Sequence, residues 1–187
     1  RHAVLMEDQS IQAQFDREVD EAMEELGVRL QSHEQLLLSA AALLERNPQL
    51  TDDAWHQFAQ TVRLTERYSG VRGLGYLRQT TPADVGQYLA QSRTKDGHVH
   101  AIYPQGQRPD YAPVTLVYPL DDAHSRALGF DAKSEPMRTM ALERARDTGQ
   151  ATMSLPVQLI WQTEQDKQLA TLMYVPVFRV GMDRGTE

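Results

Sequence analysis

The chain has 187 residues, 41% hydrophobic and 24% charged, enough to bury one good core or two small lobes sharing an interface. Its net charge of −7 and scattered basic residues disfavour a nucleic-acid surface, because phosphate binding is driven by clustered Lys and Arg. The lack of cysteine excludes thiol catalysis, thiolate zinc sites and disulfides. No apolar run reaches the roughly 18 residues that a membrane helix needs.

From about Val4 to Arg46 the apolar residues recur at helical spacing, through Ile11, Phe15, Val19, Ala22, Leu26 and Leu30. From Leu26 the steps alternate four and three, so Leu26, His33 and Ala40 form one heptad column and Leu30, Leu37 and Leu44 another. Asn47-Pro48 ends the helix, since proline disfavours helix in the residue before it. Such a rod buries its stripe either on the rest of the domain or against a second copy, and both readings stand. The dimer reading rests on Leu26, Leu30, His33, Leu37 and Leu44.

Thr51 is a good N-cap, with Asp52 and Asp53 complementing the dipole of a helix that carries Trp55, Phe58 and Val62 and runs to Ser69-Gly70. Val71 to Arg78 reads as a strand, where Gly73 and Gly75 allow close approach of another element. Thr81-Pro82 opens a helix to about Ser92. Lys95-Asp96-Gly97 then turns into a strand from His98 to Tyr103, and Gln105 to Asp110 is a polar loop before a β-rich run from Tyr111 to Leu120.

Asp121 to Ala127 reads as a short turn or helix, and Ser134 is expected to cap a helix that ends at Gly149. Met153–Trp161 and Leu169–Arg179 read as an antiparallel pair joined by a polar loop. The order is α+β: a long N-terminal stalk helix, then one or two lobes with small antiparallel sheets.

Three stretches carry a family likeness. They are Gly70-Val71-Arg72-Gly73-Leu74-Gly75-Tyr76, the run Leu128-Gly129-Phe130-Asp131-Ala132 with the helix after it, and Tyr174-Val175-Pro176-Val177-Phe178. Together, over about residues 68 to 180, they resemble the CHASE family of extracytoplasmic sensor domains on histidine kinases and nucleotide cyclases. The resemblance implies a stalk or dimerisation helix at 1–47 and a PAS-like ligand-sensing region at 48–187. It also implies a periplasmic part of an inner-membrane protein, with membrane helices on either side, a homodimer through the stalk, and no catalysis in this domain. The chain opens on Arg1 rather than methionine, which fits a piece of a longer protein.

In family members that bind cytokinins, the aspartate matching Asp131 hydrogen-bonds the purine, which makes an adenine-type compound the candidate ligand. Met153 and Gln162 stand where plant receptors tend to carry leucine and threonine, a departure from those relatives. Methionine lines adaptable apolar pockets, and glutamine offers a donor and an acceptor. Tyr111, Val114, Leu116, Leu155 and Leu159 are candidate apolar walls, although sheet residues of this kind are ordinarily core. For Asp131 itself the competing role is a carboxylate capping a turn near Ser134.

Other constellations are weaker. His98 and His100 share one strand face but lack a third ligand, so no metal and no other cofactor is expected. Asp121, Asp122, His124 and Ser125 lack the strained G-x-S-x-G turn of a nucleophile elbow. Gly70-x-x-Gly73-x-Gly75 has neither the spacing nor the following helix of a phosphate cradle.

Overall fold

The computed structural model describes residues 2–92, 101–162, 168–179 and 181, with side chains from residue 11 onward. The fold is α+β, with a long N-terminal helix followed by short helices and small antiparallel sheets. Two units emerge, one up to Leu36 and one from Leu37 to the end.

Helix α1 spans His2–Arg46. At its end the Asn47 backbone N–H makes the last helical bond, to Leu43 O at 3.0 Å, its side-chain amide caps the same carbonyl at 3.1 Å, and Pro48 follows. In the first unit the helix is exposed on every side from residue 11 to residue 29. Ile11, Phe15, Val19, Met23 and Leu26 all stand in solvent, while Glu25 and Arg29 pair one turn apart at 2.6 Å. Most helical stability comes from packing an amphipathic face, and this stretch packs none.

The second unit begins with the last turns of α1, where Ala40, Ala41 and Leu44 are core. Helix α2 (Asp52–Thr61) starts as expected, with Thr51 Oγ1 accepting from Ala54 N at 3.3 Å. It ends earlier than expected, because Arg63 adopts the left-handed region at φ 55° and breaks off the single turn α3 (Leu64–Arg67). Neither glycine nor proline marks that break, so the apolar pattern runs through it unchanged.

Strand β1 (Leu74–Leu77) is shorter than the expected Val71–Arg78 and pairs antiparallel with β2 (Val114–Tyr118). The register sets Leu74 opposite Tyr118 and Tyr76 opposite Leu116, with an irregularity after Tyr76. A Cβ on Gly73 would lie 3.1 Å from Tyr118 O, so the close approach read from the sequence is real. Helix α2 lies on this ribbon: Trp55 donates to Leu74 O at 3.4 Å, and the His56 ring contacts Val117 O at 3.2 Å. Trp55, Ala59, Leu64, Leu74, Leu116 and Val117 are its buried residues.

Helix α4 (Val85–Gln91) follows a 3-10 turn at Pro82–Asp84. The first half of the expected strand from His98 to Tyr103 lies outside the described residues; of the second half, Tyr103 bridges Phe130. Helix α5 (Pro136–Thr148) is capped by Glu135 instead of Ser134. The reason is local. Ser134 Oγ is engaged with Asp131 O at 2.6 Å, and the Glu135 carboxylate takes the N–H groups of Met137 and Arg138, each at 3.0 Å. Gly149 closes the helix at φ 67°.

The C-terminal runs do form an antiparallel pair, in two short pieces. Strand β3 (Thr152–Met153) pairs with β6 (Met173–Tyr174), and β4 (Val157–Gln158) with β5 (Leu169–Ala170). Between them Ser154 is buried and bonds Leu172 both ways, from its N–H at 2.8 Å and to its Oγ at 3.0 Å. Ala141, Ala145 and Tyr174 clamp α5 to this hairpin.

Candidate functional site

Asp131 is fully buried, at 0% exposure. It is set on the loop between β2 and α5, held from both sides by backbone. Its N–H donates to Tyr103 O at 2.7 Å, and a bridge joins it to Pro113. Carboxylate Oδ1 accepts from Ala112 N at 2.8 Å and from Lys133 N at 3.1 Å. The second of these caps the 3-10 turn Ala132–Ser134, so the turn-capping role is occupied.

Oδ2 is different. It accepts no aligned hydrogen bond, although Arg108 Nη1 lies 3.3 Å away as an ion pair. Arg108 is 20% exposed and reaches in from the loop after Tyr103. The same nitrogen also donates to Pro104 O at 3.2 Å and Gly106 O at 3.4 Å. Asp110 anchors the loop, accepting from Lys133 Nζ at 2.6 Å and from Gln79 Nε2 at 3.0 Å. A buried carboxylate oxygen without a donor is costly, so this pairing is strong in charge and poor in geometry.

The remaining sequence-predicted residues scatter around this niche. Tyr111 is next to it, with its hydroxyl on Gly106 O at 3.1 Å. Val114 and Leu116 line a separate cleft. Met153 and Leu155 point to solvent, whereas Leu159 is core. Gln162 buries its carboxamide, and neither its oxygen nor its nitrogen has a hydrogen-bond partner among the described residues. Of the stalk positions, Leu26 is exposed, Leu30, His33 and Leu37 are half-buried, and Leu44 belongs to the core.

The cleft encloses about 410 Å³ between the turn after α1, the β1–β2 ribbon and α4. Arg78 and Tyr88 supply its inner polar groups. Burial pushes the phenols of Tyr76 and Tyr88 above their ordinary pKa; the Ser92 and Thr115 hydroxyls and then the charge of Arg78 oppose that rise at Tyr88, and Arg78 and Arg179 oppose it at Tyr76.

Asp121, His124 and Ser125 do not form a relay. Asp121 Oδ1 takes the N–H groups of Ala123 and His124 and sits 2.7 Å from His124 Nδ1, contacts that hold its carboxyl below the usual range. Ser125 Oγ donates to Asp122 O at 3.1 Å. His98 and His100 lie outside the described residues, and no three-residue metal cluster occurs among the described ones. No helix among those residues is long and apolar enough to cross a membrane.

Sequence reading singled out Asp131 but not its neighbours Arg108 and Lys133, nor Arg78 and Tyr88 of the cleft. The only advance signal for Arg108 was one cation in a polar, Pro-bearing loop.

The model of the CHASE domain family matches residues 48–187. The chain belongs to the CHASE family. CHASE domains are extracytoplasmic sensory modules of signalling receptors, without catalytic activity of their own. No curated protein matches the chain. The CHASE match covers both the Asp131 niche and nearly all of the cleft.

Proposed function

We propose that this CHASE domain is the periplasmic ligand sensor of a membrane-anchored receptor with a histidine kinase as output, and that its ligand docks on Asp131. The observation that carries the reading is the unused Oδ2: a carboxylate at 0% exposure with one oxygen fully served by amides and the other facing only a misaligned guanidinium. A ligand N–H arriving where Arg108 now stands would satisfy that oxygen and release the loop that carries Arg108. An adenine derivative has such donors on one edge. The two states of the loop then differ in ligand affinity, which is what a signal requires. A diguanylate cyclase or phosphodiesterase output would leave this sensory chemistry unchanged.

Thermal-shift measurements with adenine and N6-alkyl adenines test it. The parent should melt higher with ligand, and Asp131→Asn, which keeps the shape but removes the charge, should lose most of that gain. Equal shifts in both proteins would refute the assignment.

A second reading is favoured by one specific observation, the unburied stripe of Ile11, Phe15, Val19 and Leu26. In it the stalk pairs with a second copy through these residues and the domain needs no small ligand. Sedimentation of the parent and of a Phe15→Asp, Leu26→Asp double variant decides: a dimer lost in the variant supports pairing, and a monomeric parent rejects it.

A further inference from the structure

The cleft beside α4 is separate from the Asp131 carboxylate, whose side chain does not line it. Its volume of about 410 Å³ falls within the range of small-molecule sites. Leu44, Leu50 and Leu116 give it an apolar floor, and Arg78, Tyr88 and Thr115 line the polar side.

Two of those polar groups are incompletely used. Tyr88 is 2% exposed, and its hydroxyl has no well-aligned hydrogen bond, although the Ser92 and Thr115 hydroxyls lie close enough to influence it, so a buried phenol is left poorly served. Arg78 gives one N–H to Gln91 Oε1 and forms no ion pair with a described carboxylate. A guanidinium carries five donors, so most of its capacity is open. The rim is acidic, from the exposed Asp52 and Asp53 in the first turn of α2. A carboxylate bonded directly to the Arg78 guanidinium gains from that close contact, whereas repulsion from the more distant rim acids grows with ligand charge and disfavours a phosphate dianion more than a monocarboxylate.

We propose that this cleft is a second ligand site, taking a small monocarboxylate with an apolar body. The carboxylate accepts from Arg78 and from the Tyr88 hydroxyl, and the apolar part rests on Leu44, Leu50 and Leu116. Leu44 lies in the last turn of α1, so occupancy is registered at the foot of the stalk helix. The site does not depend on a purine at Asp131 and would co-regulate the same domain.

The test uses phenylacetate and hexanoate as probes, with phenylacetamide and hexanamide as neutral counterparts. In the parent the carboxylates should raise Tm and the amides should not. Arg78→Gln should weaken binding roughly 10- to 100-fold, the loss of a charge-assisted hydrogen bond. Tyr88→Phe should weaken it less, and Asp131→Asn should leave it intact. Amide NMR of the parent keeps the proposal testable if a variant misfolds: phenylacetate should perturb Arg78, Tyr88 and Thr115 more than Ala112, Asp131 and Lys133. No Tm shift with the carboxylates, equal shifts with the amides, full binding by Arg78→Gln, or perturbations centred on Asp131 would each overturn it.

Discussion

The Asp131 niche and the Tyr88 cleft share one stretch of chain but treat buried polarity in opposite ways. Ala112 N feeds Asp131, while Val114 and Leu116 two and four residues on line the cleft. In the niche, backbone amides and a loop close over the charge and leave no exposed carboxylate surface. In the cleft, a buried phenol and a half-buried guanidinium face open volume with few partners. Polar groups served by backbone hold a fold together. Polar groups facing volume are free to recognise something, and the two regions should therefore respond to mutation in different currencies, stability against affinity.

The largest expected effect breaks the niche. Asp131→Ala strands Arg108 and two amides around a buried hole, and removing one partner of a buried pair typically costs about 3–5 kcal/mol. Urea unfolding should show it as a drop in midpoint at unchanged slope. A loss below about 1 kcal/mol would mean that water or a loop shift replaces the carboxylate, and the niche would no longer count as sealed.

Next comes alkaline pH, which compares a phenol in packed core with the one in the cleft. Burial raises the Tyr174 pKa from 10.0 to about 12. A raised folded-state value means full stability below pH 10.0 and progressive loss as pH climbs toward about 12, because the unfolded chain ionises first. A shift of this size corresponds to roughly 2–3 kcal/mol. Tyr174→Phe should flatten that part of the stability profile, measured by urea unfolding between pH 8 and pH 11 as about that range. An unchanged profile would place the alkaline sensitivity elsewhere.

How far the sequence revealed these regions depends on how local each device is. The stop of α1 at Asn47-Pro48, the Thr51 cap and the Gly149 terminator involve partners within a few residues, and each was readable. Asp131 was also readable, because its turn-capping partner is Lys133 N, two residues away. The Glu135 cap was misread as Ser134 since a serine is the better intrinsic cap, and only the tertiary bond from Ser134 to Asp131 O removes it from contention. The left-handed Arg63 carries no residue-type signal at all. Arg108 and the cleft were illegible for one reason: their partners are brought together from residues 44 to 131, and no spacing rule encodes such meetings.

A smaller effect is expected at Arg108. The residue keeps part of its surface in solvent, and its pairing with the buried Asp131 is imperfectly aligned. Arg108→Ala leaves the buried Asp131 carboxylate with its two amide donors but without its countercharge, and should cost about 1–3 kcal/mol in urea unfolding, less than Asp131→Ala, which strands both amides as well. If Arg108 holds the place of a ligand donor, the same variant should bind N6-alkyl adenines more tightly than the parent in thermal-shift titration. Weaker binding in Arg108→Ala would make the arginine a ligand contact instead of a placeholder.

The smallest effect is the most discriminating. Tyr88→Phe deletes a hydroxyl that is buried and has no well-aligned hydrogen bond, while the ring that packs α4 is retained. Removing an unsatisfied buried polar atom returns its desolvation penalty, so stability should stay within about 0.5 kcal/mol of the parent or rise by up to about 1 kcal/mol. A hydroxyl that instead served the fold through Ser92 or Thr115, the two hydroxyls nearest in effect, would cost about 1 kcal/mol or more on removal. The sign of this one measurement therefore sorts Tyr88 with Asp131 or against it. A gain or no change marks the cleft as a surface kept polar at some expense to stability, which natural chains tolerate where something binds.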